Sequence, residues 1–245
     1  MAGVALITGA SAGLGVEFAR QLSSKGHRLV LAARRKDRLD ALGERISSNG
    51  GRALAVEADI ADEDQARAFV RAAADELGGL DILVNNAGVM LLGPFEGDDS
   101  DNWRRMVEVN VLGLLYCTQE ALPLMRERGG GHIVNLSSVA GRHANPGSSV
   151  YNFTKWGVTG FSEALRQEAL HANVRVTVVE PGFVDTELQG QNTNPVVVEA
   201  LEKFREEIGD VLEAENIAHA ILYVVSQPEH VNINEVMLRP IGQRR

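Results

Sequence analysis

Short, wholly apolar runs alternate along this chain with longer stretches in which apolar residues recur at helical spacing. Consecutive apolar positions are typical of parallel strands that are buried on both faces, and the longer stretches predict helices. The predicted strands are Val4–Thr8, Arg28–Ala33, Arg52–Glu57, Ile82–Asn85, Gly131–Ser137, Arg175–Glu180 and Glu235–Leu238. The predicted helices are Gly13–Lys25, Arg38–Asn49, Asp62–Leu77, Asp101–Arg126, Tyr151–His171 and Ala214–Ser226.

This alternation predicts an α/β fold: a single doubly wound domain over residues 1–245, with a seven-stranded parallel sheet and helices on both faces. One segment after the sixth strand breaks the alternation, because it is polar from Gln189 to Asn194 and helical from about Pro195. A long insertion beside the active end of a sheet is a candidate substrate lid. We therefore predict a lid over about residues 185–210, with a disordered surface loop as the alternative.

A glycine-rich turn, Thr8-Gly9-Ala10-Ser11-Ala12-Gly13-Leu14-Gly15, joins the first strand to the first helix. A strand, a turn of this kind and a helix lay a pyrophosphate on the helix N-terminus, because glycine lets backbone N–H groups approach the phosphates. The spacing is GxxxGxG rather than GxGxxG, but the required context of strand and helix is present. We therefore predict a Rossmann-type dinucleotide site with contacts from Gly9, Ser11, Gly13, Leu14 and Gly15.

Tyr151 and Lys155 are four residues apart in a predicted helix, so their side chains share one face. A phenol titrates near pH 10, and an ammonium fixed within about 4–6 Å lowers that pKa by roughly 1–3. We therefore expect Lys155 to lower the Tyr151 pKa toward the range of a general acid or base. Ser138, thirteen residues before the tyrosine, could hold a substrate oxygen beside the phenol. The alternative is an ordinary surface pair.

Motifs in a fixed order give the chain a resemblance to a known family. They are TGxxxGxG at Thr8–Gly15, Asn85-Asn86-Ala87-Gly88, Asn110, Ser138, Tyr151-x-x-x-Lys155 and Pro181-Gly182. On these motifs, which extend over nearly the whole chain, the sequence is identified as a member of the short-chain dehydrogenase/reductase family. Two shorter stretches, Met90–Pro94 and Val231–Val236, resemble the clavulanic acid dehydrogenase-like carbonyl reductases and the NADP-dependent 3-hydroxy acid (serine/allo-threonine) dehydrogenases.

The resemblance implies hydride transfer between a nicotinamide and a carbonyl or alcohol, with Tyr151 as the general acid or base. It implies that Ser138 binds the substrate oxygen and that Lys155 also binds the nicotinamide ribose. Asn110 resembles the family asparagine that holds a water in the proton relay. Because asparagine disfavours a helix interior, we expect a local kink at Asn110. From its spacing to Tyr151, the adjacent Ser137 is expected to be structural.

The end of the second strand bears on the choice of cofactor. An acidic residue there would bind the ribose hydroxyls of NAD, but the chain has Ala33-Arg34-Arg35-Lys36. Arg34 offers a planar fork that matches a 2′-phosphate, and Arg35 adds a second charge. In the family, an arginine here marks NADP, whereas the other marker, a basic residue in the glycine turn, is replaced by Ala12. Ser11 could still bind the phosphate. We favour NADP(H), with NAD(H) or a merely basic flank as alternatives.

Loops after the third, fourth and sixth strands carry the remaining contacts that the resemblance implies, namely those to the adenine, the adenosine ribose and the nicotinamide. For Asp59 and Thr186, helix capping is the competing interpretation, since both precede or begin helical patterns. The residues are Asp59 and Ile60 for the adenine, Asn86, Ala87 and Gly88 for the ribose, and Pro181, Gly182, Val184 and Thr186 for the nicotinamide.

The loops at this end of the sheet predict a mostly apolar substrate pocket, which favours an aldehyde or ketone with a hydrophobic body, or the corresponding alcohol. A hydroxy acid would need a carboxylate anchor, for which Arg142 is the only arginine near these loops by sequence position. His143 could meet a carboxylate or be a surface residue. The alternatives are a 3-hydroxy acid dehydrogenase, an NAD-dependent alcohol dehydrogenase and a cofactor-binding regulator. The pocket candidates are Val89, Met90, Leu91, Ser138, Val139, Ala140, Phe183 and the lid from Leu188.

Composition agrees with one enzyme domain of 245 residues, with 44% hydrophobic residues. The net charge of −9 disfavours nucleic acid and anionic membranes as partners. The single cysteine, Cys117, excludes an intramolecular disulfide, and the six histidines show no metal-ligand spacing. No run approaches the roughly 20 apolar residues of a membrane span, and the first strand leaves no room for a signal peptide. We expect a cytoplasmic enzyme without metal.

The predicted helix Asp101–Arg126 carries apolar residues around more of its circumference than a core-facing stripe of about 100°. An apolar second face marks an interface. The resemblance implies that this helix and Tyr151–His171 pack in a four-helix bundle, and that the C-terminal strand pairs across a second axis. We therefore predict a homotetramer, with a homodimer as the alternative.

Overall fold

A seven-stranded parallel sheet runs through the centre of the protein. The structure is a computed structural model and describes residues 3–244. The strands are β1 (Val4–Thr8), β2 (Arg28–Ala33), β3 (Ala53–Glu57), β4 (Ile82–Asn85), β5 (Gly131–Leu136), β6 (Val174–Pro181) and β7 (Glu235–Leu238). Their order is β3-β2-β1-β4-β5-β6-β7, with every neighbouring pair parallel, which confirms the predicted single doubly wound domain. The order reverses between β1 and β4, where sheets of this kind form their ligand crevice.

Eight α-helices are found within residues 3–244, and they cover both faces of the sheet. None of these helices combines the length and apolar character needed to cross a membrane. The helices are α1 (Gly13–Ser24), α2 (Lys36–Ser48), α3 (Glu63–Leu77), α4 (Ser100–Val107), α5 (Leu114–Glu127), α6 (Ser149–Glu168), α7 (Pro195–Ile208) and α8 (Ala214–Val225).

An apolar core lies on each face of the sheet and fixes the helices. One core joins the sheet to α3, α5 and α6 and contains the fully buried Phe69 and Cys117. The other joins it to α1, α2 and α8 through Phe18, Leu39 and Ile221. Burial of one large apolar side chain is worth about 1.5–3 kcal/mol, so both cores hold the strand ends rigidly beside the cleft described below.

The helix predicted over Asp101–Arg126 is present, but one turn of it is wider. α4 ends at Val107, a π-helical turn covers Glu108–Gly113, and α5 follows directly. Turns of this kind are frequent at functional sites. The turn contains Asn110, so the structure has the expected local deviation at that residue. The other predicted elements are present with ends moved by up to three residues.

The segment predicted as a lid forms a short turn and a helix. The turn is a 3₁₀ turn over Gln189–Gln191, and α7 then begins at Pro195, which suits the first helical position. The Asn194 side chain caps α7 by accepting a hydrogen bond from the Val196 N–H at 3.0 Å. Among the described residues of α7, Ile208 alone is buried, so the helix lies outside the core.

Candidate active site

A cleft of about 1900 Å³ opens at the C-terminal ends of the strands. Its walls are the loops after β1 to β6, the segment that contains α7, and the C-terminal tail. Of the predicted cofactor residues, all but Gly15 line this cleft. Ser138, Tyr151 and Lys155 also line it, whereas Asn110 lies behind its wall. The fold therefore brings together residues that are far apart in the sequence.

The glycine turn after β1 requires glycine at two positions. Gly9 has a φ of 68°, and a Cβ there would lie 2.8 Å from the Ala87 Cα atom. Gly13 has a φ of 51°, and a Cβ there would lie 3.3 Å from the Thr186 Cβ atom. Only glycine adopts this backbone region without strain. The turn thus keeps a narrow space between β1 and the loop after β6.

Gly15 has a different role from the predicted one. It does not line the cleft, and a Cβ there would lie 2.4 Å from the Gly9 carbonyl oxygen. Gly15 therefore allows α1 to pack closely on the glycine turn. The prediction that it contacts the cofactor is corrected, because the helix geometry turns this position toward the backbone.

The two arginines after β2 have different partners. Arg34 is exposed at the cleft, and no hydrogen bond or ion pair of its guanidinium is found within residues 3–244. Arg35 donates from Nε to Ser11 Oγ at 3.2 Å and forms an ion pair with Glu187 at 3.0 Å. Arg38 binds the same carboxylate at 2.8 Å, and these two guanidinium groups lower the pKa of Glu187. Arg34 is thus the guanidinium available to a ligand phosphate.

Asp59, predicted at the adenine, does not cap the helix that follows it. The cap of α3 is Asp62, whose carboxylate accepts from the Gln65 N–H at 3.0 Å. Asp59 instead accepts from the Ala61 N–H at 3.1 Å and forms an ion pair with Arg105 at 3.1 Å. The capping alternative is therefore wrong for Asp59, and its carboxylate faces the cleft.

The loop after β4 is bound to the end of β1. Thr8 Oγ1 accepts hydrogen bonds from the N–H groups of Asn86 and Ala87, both at 3.0 Å. The Asn86 side chain donates to the Thr8 carbonyl at 2.8 Å. A Cβ at Gly88 would lie 3.9 Å from Lys155 Nζ, so the backbone passes directly beside that amine. These contacts fix one wall of the cleft.

The loop after β6 leads from the cleft into the α7 segment. Thr186 Oγ1 accepts from the Leu188 N–H at 3.3 Å and donates to Gln189 Oε1 at 3.3 Å. The Gln189 side-chain amide donates to the Val184 carbonyl at 2.9 Å. Thr186 thus begins a turn and lines the cleft, but it caps no helix, because the residue that precedes the 3₁₀ turn is Leu188.

Ser138, Tyr151 and Lys155 converge at the bottom of the cleft. Tyr151 is 7% exposed and Lys155 is 6% exposed, and Ser138 is hydrogen-bonded to the tyrosine. Ser138 Oγ also accepts from the Ala140 N–H at 3.1 Å. Lys155 Nζ donates to the Leu136 carbonyl at 2.8 Å and lies 5.8 Å from the centroid of the tyrosine ring. The buried Tyr151 and Lys155 and the half-buried Ser138 therefore form one polar group.

Burial dominates the ionisation of this group. It raises the pKa of Tyr151 to about 12, although the Ser138 hydrogen bond acts in the opposite direction. Burial also lowers the pKa of Lys155 to about 8. The expectation that Lys155 lowers the tyrosine pKa is therefore wrong in this structure, because burial raises that pKa and only Ser138 acts to lower it. The phenol is protonated at neutral pH and the amine loses its proton only slightly above it.

Asn110 and Ser137 support the site from behind. Asn110, which is 2% exposed, accepts from the Val89 N–H at 2.8 Å and donates to the Val89 carbonyl at 2.9 Å. Its amide also donates to Thr154 Oγ1 at 3.2 Å, so it ties the π-helical turn to α6 and to the loop after β4. Ser137 Oγ donates to the Lys155 carbonyl at 3.0 Å, which agrees with the structural role expected of it.

Comparison with known proteins identifies the family. The family model described as short chain dehydrogenase matches residues 3–196. The chain belongs to the short-chain dehydrogenase family. The family assignment made from the sequence motifs is thus confirmed.

Individual relatives cover nearly all of this chain. A glycine betaine reductase of Emericella nidulans is 40% identical over 238 residues, which are 97% of this chain but 18% of that protein. An uncharacterized oxidoreductase of Staphylococcus saprophyticus is 37% identical over 98% of this chain and 96% of its own. The closed form of a serine dehydrogenase complexed with NADP+ superposes with a TM-score of 0.91 at 33% identity, covering 99% of this chain and 96% of that one. The family and these relatives support an oxidoreductase that uses a nicotinamide cofactor.

Several residues of this short-chain dehydrogenase site were not found from the sequence. Arg105 lies in α4, Glu187 follows β6, and Asn192 joins the α7 segment to the loop after β4. The C-terminal tail contributes Gly242, Gln243 and Arg244 to the cleft. All of these contacts join distant parts of the chain, and no local motif marks them.

Arg142 is not the carboxylate anchor that its sequence position suggested. Its Nε atom donates to the buried Glu180 carboxylate at 2.6 Å, and Nη2 lies 2.5 Å from Glu235. Arg142 does not line the cleft. Both carboxylates come from strands that are remote in sequence, so their ion pairs with Arg142 are a consequence of the fold.

Within residues 3–244, no group of three His, Cys, Asp or Glu side chains is placed to hold a metal ion.

Proposed function

We propose that the protein is an NADP(H)-dependent oxidoreductase that transfers a hydride between the nicotinamide and a carbonyl carbon, with Tyr151 as the general acid or base. The observation that carries this proposal is the group formed by the buried Tyr151 and Lys155 and the half-buried Ser138, which lies at the bottom of a cleft that the glycine turn also lines. When bound, the nicotinamide supplies or accepts the hydride.

The residues fit a dinucleotide. Gly9 and Gly13 line the cleft at the start of α1, where the helix dipole would stabilise a pyrophosphate. Asp59 and Ile60 would hold the adenine, and the loop residues after β6 would hold the nicotinamide. Lys155 would bind the nicotinamide ribose.

In the reductive direction, Tyr151 gives its proton to the substrate oxygen while Ser138 donates a hydrogen bond to the same oxygen. A phenol whose pKa is raised to about 12 is protonated at neutral pH, as an acid in this step must be. The Ser138 hydrogen bond stabilises the negative charge that develops on that oxygen. Lys155, whose pKa is lowered to about 8, can then restore the proton of the tyrosine.

Arg34 supports NADP(H) over NAD(H). Its guanidinium lies at the cleft without a partner among residues 3–244, and its planar fork suits the 2′-phosphate. No carboxylate occupies the position directly after β2, where one would bind the ribose hydroxyls of NAD. An NAD-dependent alcohol dehydrogenase is therefore the weaker candidate.

A 3-hydroxy acid dehydrogenase of the serine or allo-threonine type is the second candidate. It is favoured by the similarity to the serine dehydrogenase that was solved with NADP+. The lining of the substrate end is mostly apolar, which instead favours an aldehyde or ketone with a hydrophobic body. This lining includes Met90, Leu91, Val139, Phe183, Leu201 and Phe204.

The decisive test is the Tyr151→Phe variant, assayed by NADPH oxidation with a panel of aldehydes and ketones. One proton-transfer group contributes roughly 10²–10⁴-fold, so kcat should fall by that factor while NADPH binding is nearly unchanged. Tyr223→Phe is the matched control, because Tyr223 is 60% exposed on α8 and remote from the cleft. Retention of more than about a tenth of wild-type kcat would exclude Tyr151 as the acid.

A further inference from the structure

The C-terminal tail is built into the substrate end of the cleft. The Phe183 N–H donates to Gln243 Oε1 at 2.8 Å, which binds the tail to the loop after β6. A Cβ at Gly242 would lie 2.2 Å from the Ile208 carbonyl oxygen, so the tail also abuts the end of α7. Gly182 leaves room for the tail, because a Cβ there would lie 2.3 Å from Gln243 Oε1. The residue after Gln243 is therefore placed between the loop after β6 and α7.

That residue is Arg244, which is exposed and lines the cleft. Within residues 3–244, no hydrogen bond or ion pair of its guanidinium is found, whereas the preceding Gln243 is anchored to Phe183 and to the Pro240 carbonyl. An arginine that is positioned but unpaired presents several N–H donors in a fixed fork, which suits a carboxylate.

The other cations that line the cleft are used elsewhere. Arg35 and Arg105 are paired with Glu187 and Asp59, and both belong to the adenosine end. Arg34 lies at that same end, and Lys155 donates to a backbone carbonyl beneath the tyrosine. Arg142, outside the cleft, is held by two carboxylates. Of the described arginines and lysines that line the cleft, Arg244 is thus the one that remains for a substrate group beyond the nicotinamide.

We propose that Arg244 is a specificity-determining residue that binds a carboxylate at the far end of the substrate. The substrates would then be hydroxy acids or oxo acids in which an apolar stretch separates the reacting carbon from the carboxylate. This deepens the proposed function and rests on it. A net charge of −9 repels anions, so an acidic substrate needs such a local cation more than it would in a basic protein.

The test compares hydroxy acids with their methyl esters as substrates for NADP+ reduction. The hydroxy acids form a series in which one to four carbons separate the hydroxyl carbon from the carboxylate. The reach of the Arg244 side chain should favour one length in this series. Wild type should prefer the acid of the best length. Arg244→Gln should raise KM for that acid by roughly 10- to 150-fold, the loss expected for charge-assisted hydrogen bonds. Its kcat should change much less, and KM for the ester should stay within about twofold.

Three further variants separate charge position from overall charge. Arg244→Lys should recover part of the preference for the acid. Lys25→Gln, at the end of α1, removes one positive charge far from the cleft and should leave the acid-to-ester ratio unchanged. Glu207→Gln removes a carboxylate that lines the cleft beside Ile208 and should lower KM for the acid.

The outcomes distinguish this inference from the proposed function. If wild type oxidises the esters as well as the acids, and Arg244→Gln leaves both unchanged, then Arg244 binds no carboxylate while the oxidoreductase function stands. An equal loss for acid and ester would give Arg244 a structural role in the tail, which also overturns the inference. If no alcohol or carbonyl is turned over with either cofactor, the proposed function itself fails.

Discussion

Asn192 is the residue on which the position of the α7 segment depends. Its side chain is 8% exposed, and its Oδ1 atom accepts from the Leu92 N–H at 2.8 Å. Its Nδ2 atom donates to the Met90 carbonyl at 3.0 Å and to the Gln189 carbonyl at 3.0 Å. Two of these three bonds cross the substrate end of the cleft, from the α7 segment to the loop after β4. We predict that Asn192→Ala opens this segment.

The size of the effect follows from the bonds that are lost. A hydrogen bond contributes about 0.5–1.5 kcal/mol net, so the two bonds that cross the cleft contribute about 1–3 kcal/mol. Since about 1.4 kcal/mol corresponds to a factor of ten, the closed form should lose roughly 5- to 150-fold in relative population. The bond to Gln189 lies within the segment and does not affect its attachment.

Hydrogen exchange measures this population directly. In wild type, the amides of residues 188–210 should exchange quickly without ligand and much more slowly with NADPH and substrate. In Asn192→Ala, exchange of these amides in the ternary complex should be faster by roughly the factor given above. KM for the substrate should rise as well, because the closed form that encloses the substrate is less populated.

Asn232→Ala is the matched control for this prediction. The Asn232 side chain binds the backbone of Val176 in the same two-bond manner, at 2.9 and 3.1 Å, but on β6 and outside the cleft. This variant should lose overall stability and leave exchange in residues 188–210 unchanged. If residues 188–210 exchange at the same rate in Asn192→Ala and in wild type, the two Asn192 hydrogen bonds do not hold the segment closed. If these residues exchange quickly in wild type even with both ligands bound, the segment is a surface loop and not a lid.

Three other predictions address the cofactor, the buried lysine and the assembly. Arg34→Ala should weaken NADPH binding by roughly 10-fold or more and NADH binding far less; equal losses in titrations would contradict the NADP(H) assignment. Because burial lowers the Lys155 pKa to about 8, the unfolded chain binds more protons between about pH 8 and 10.5. Without added cofactor, the unfolding free energy of wild type should therefore rise across that window by on the order of 3 kcal/mol relative to Lys155→Met. If denaturant titrations show the same pH dependence of the unfolding free energy in both proteins, the lowered pKa of Lys155 is contradicted. Light scattering should give a homotetramer, or a dimer at least, since α6 exposes Phe153 (66%) and Trp156 (52%); the monomer mass of 26.4 kDa would refute both.

The sequence alone determined the order of the elements and which candidate catalytic side chains reach the cleft. Apolar runs are local properties of the chain, and so are the glycine turn and the four-residue spacing of Tyr151 and Lys155. Buried parallel strands and helices require these patterns whatever surrounds them, so the sheet and the helix face shared by Tyr151 and Lys155 could be predicted. Asn110 also gave a local signal, because its poor helix propensity coincides with the π-helical turn.

Tertiary structure decided the properties that depend on neighbours distant in sequence. Arg142 was a free cation by sequence, yet the fold brings Glu180 and Glu235 against it. The pKa of Tyr151 rises instead of falling, because desolvation depends on everything packed around the phenol. The tail reaches the cleft only because β7 pairs with β6 and directs residues 242–244 toward the end of α7. Local spacing cannot specify such contacts, since the chain between the partners is free to take many paths until the core fixes one.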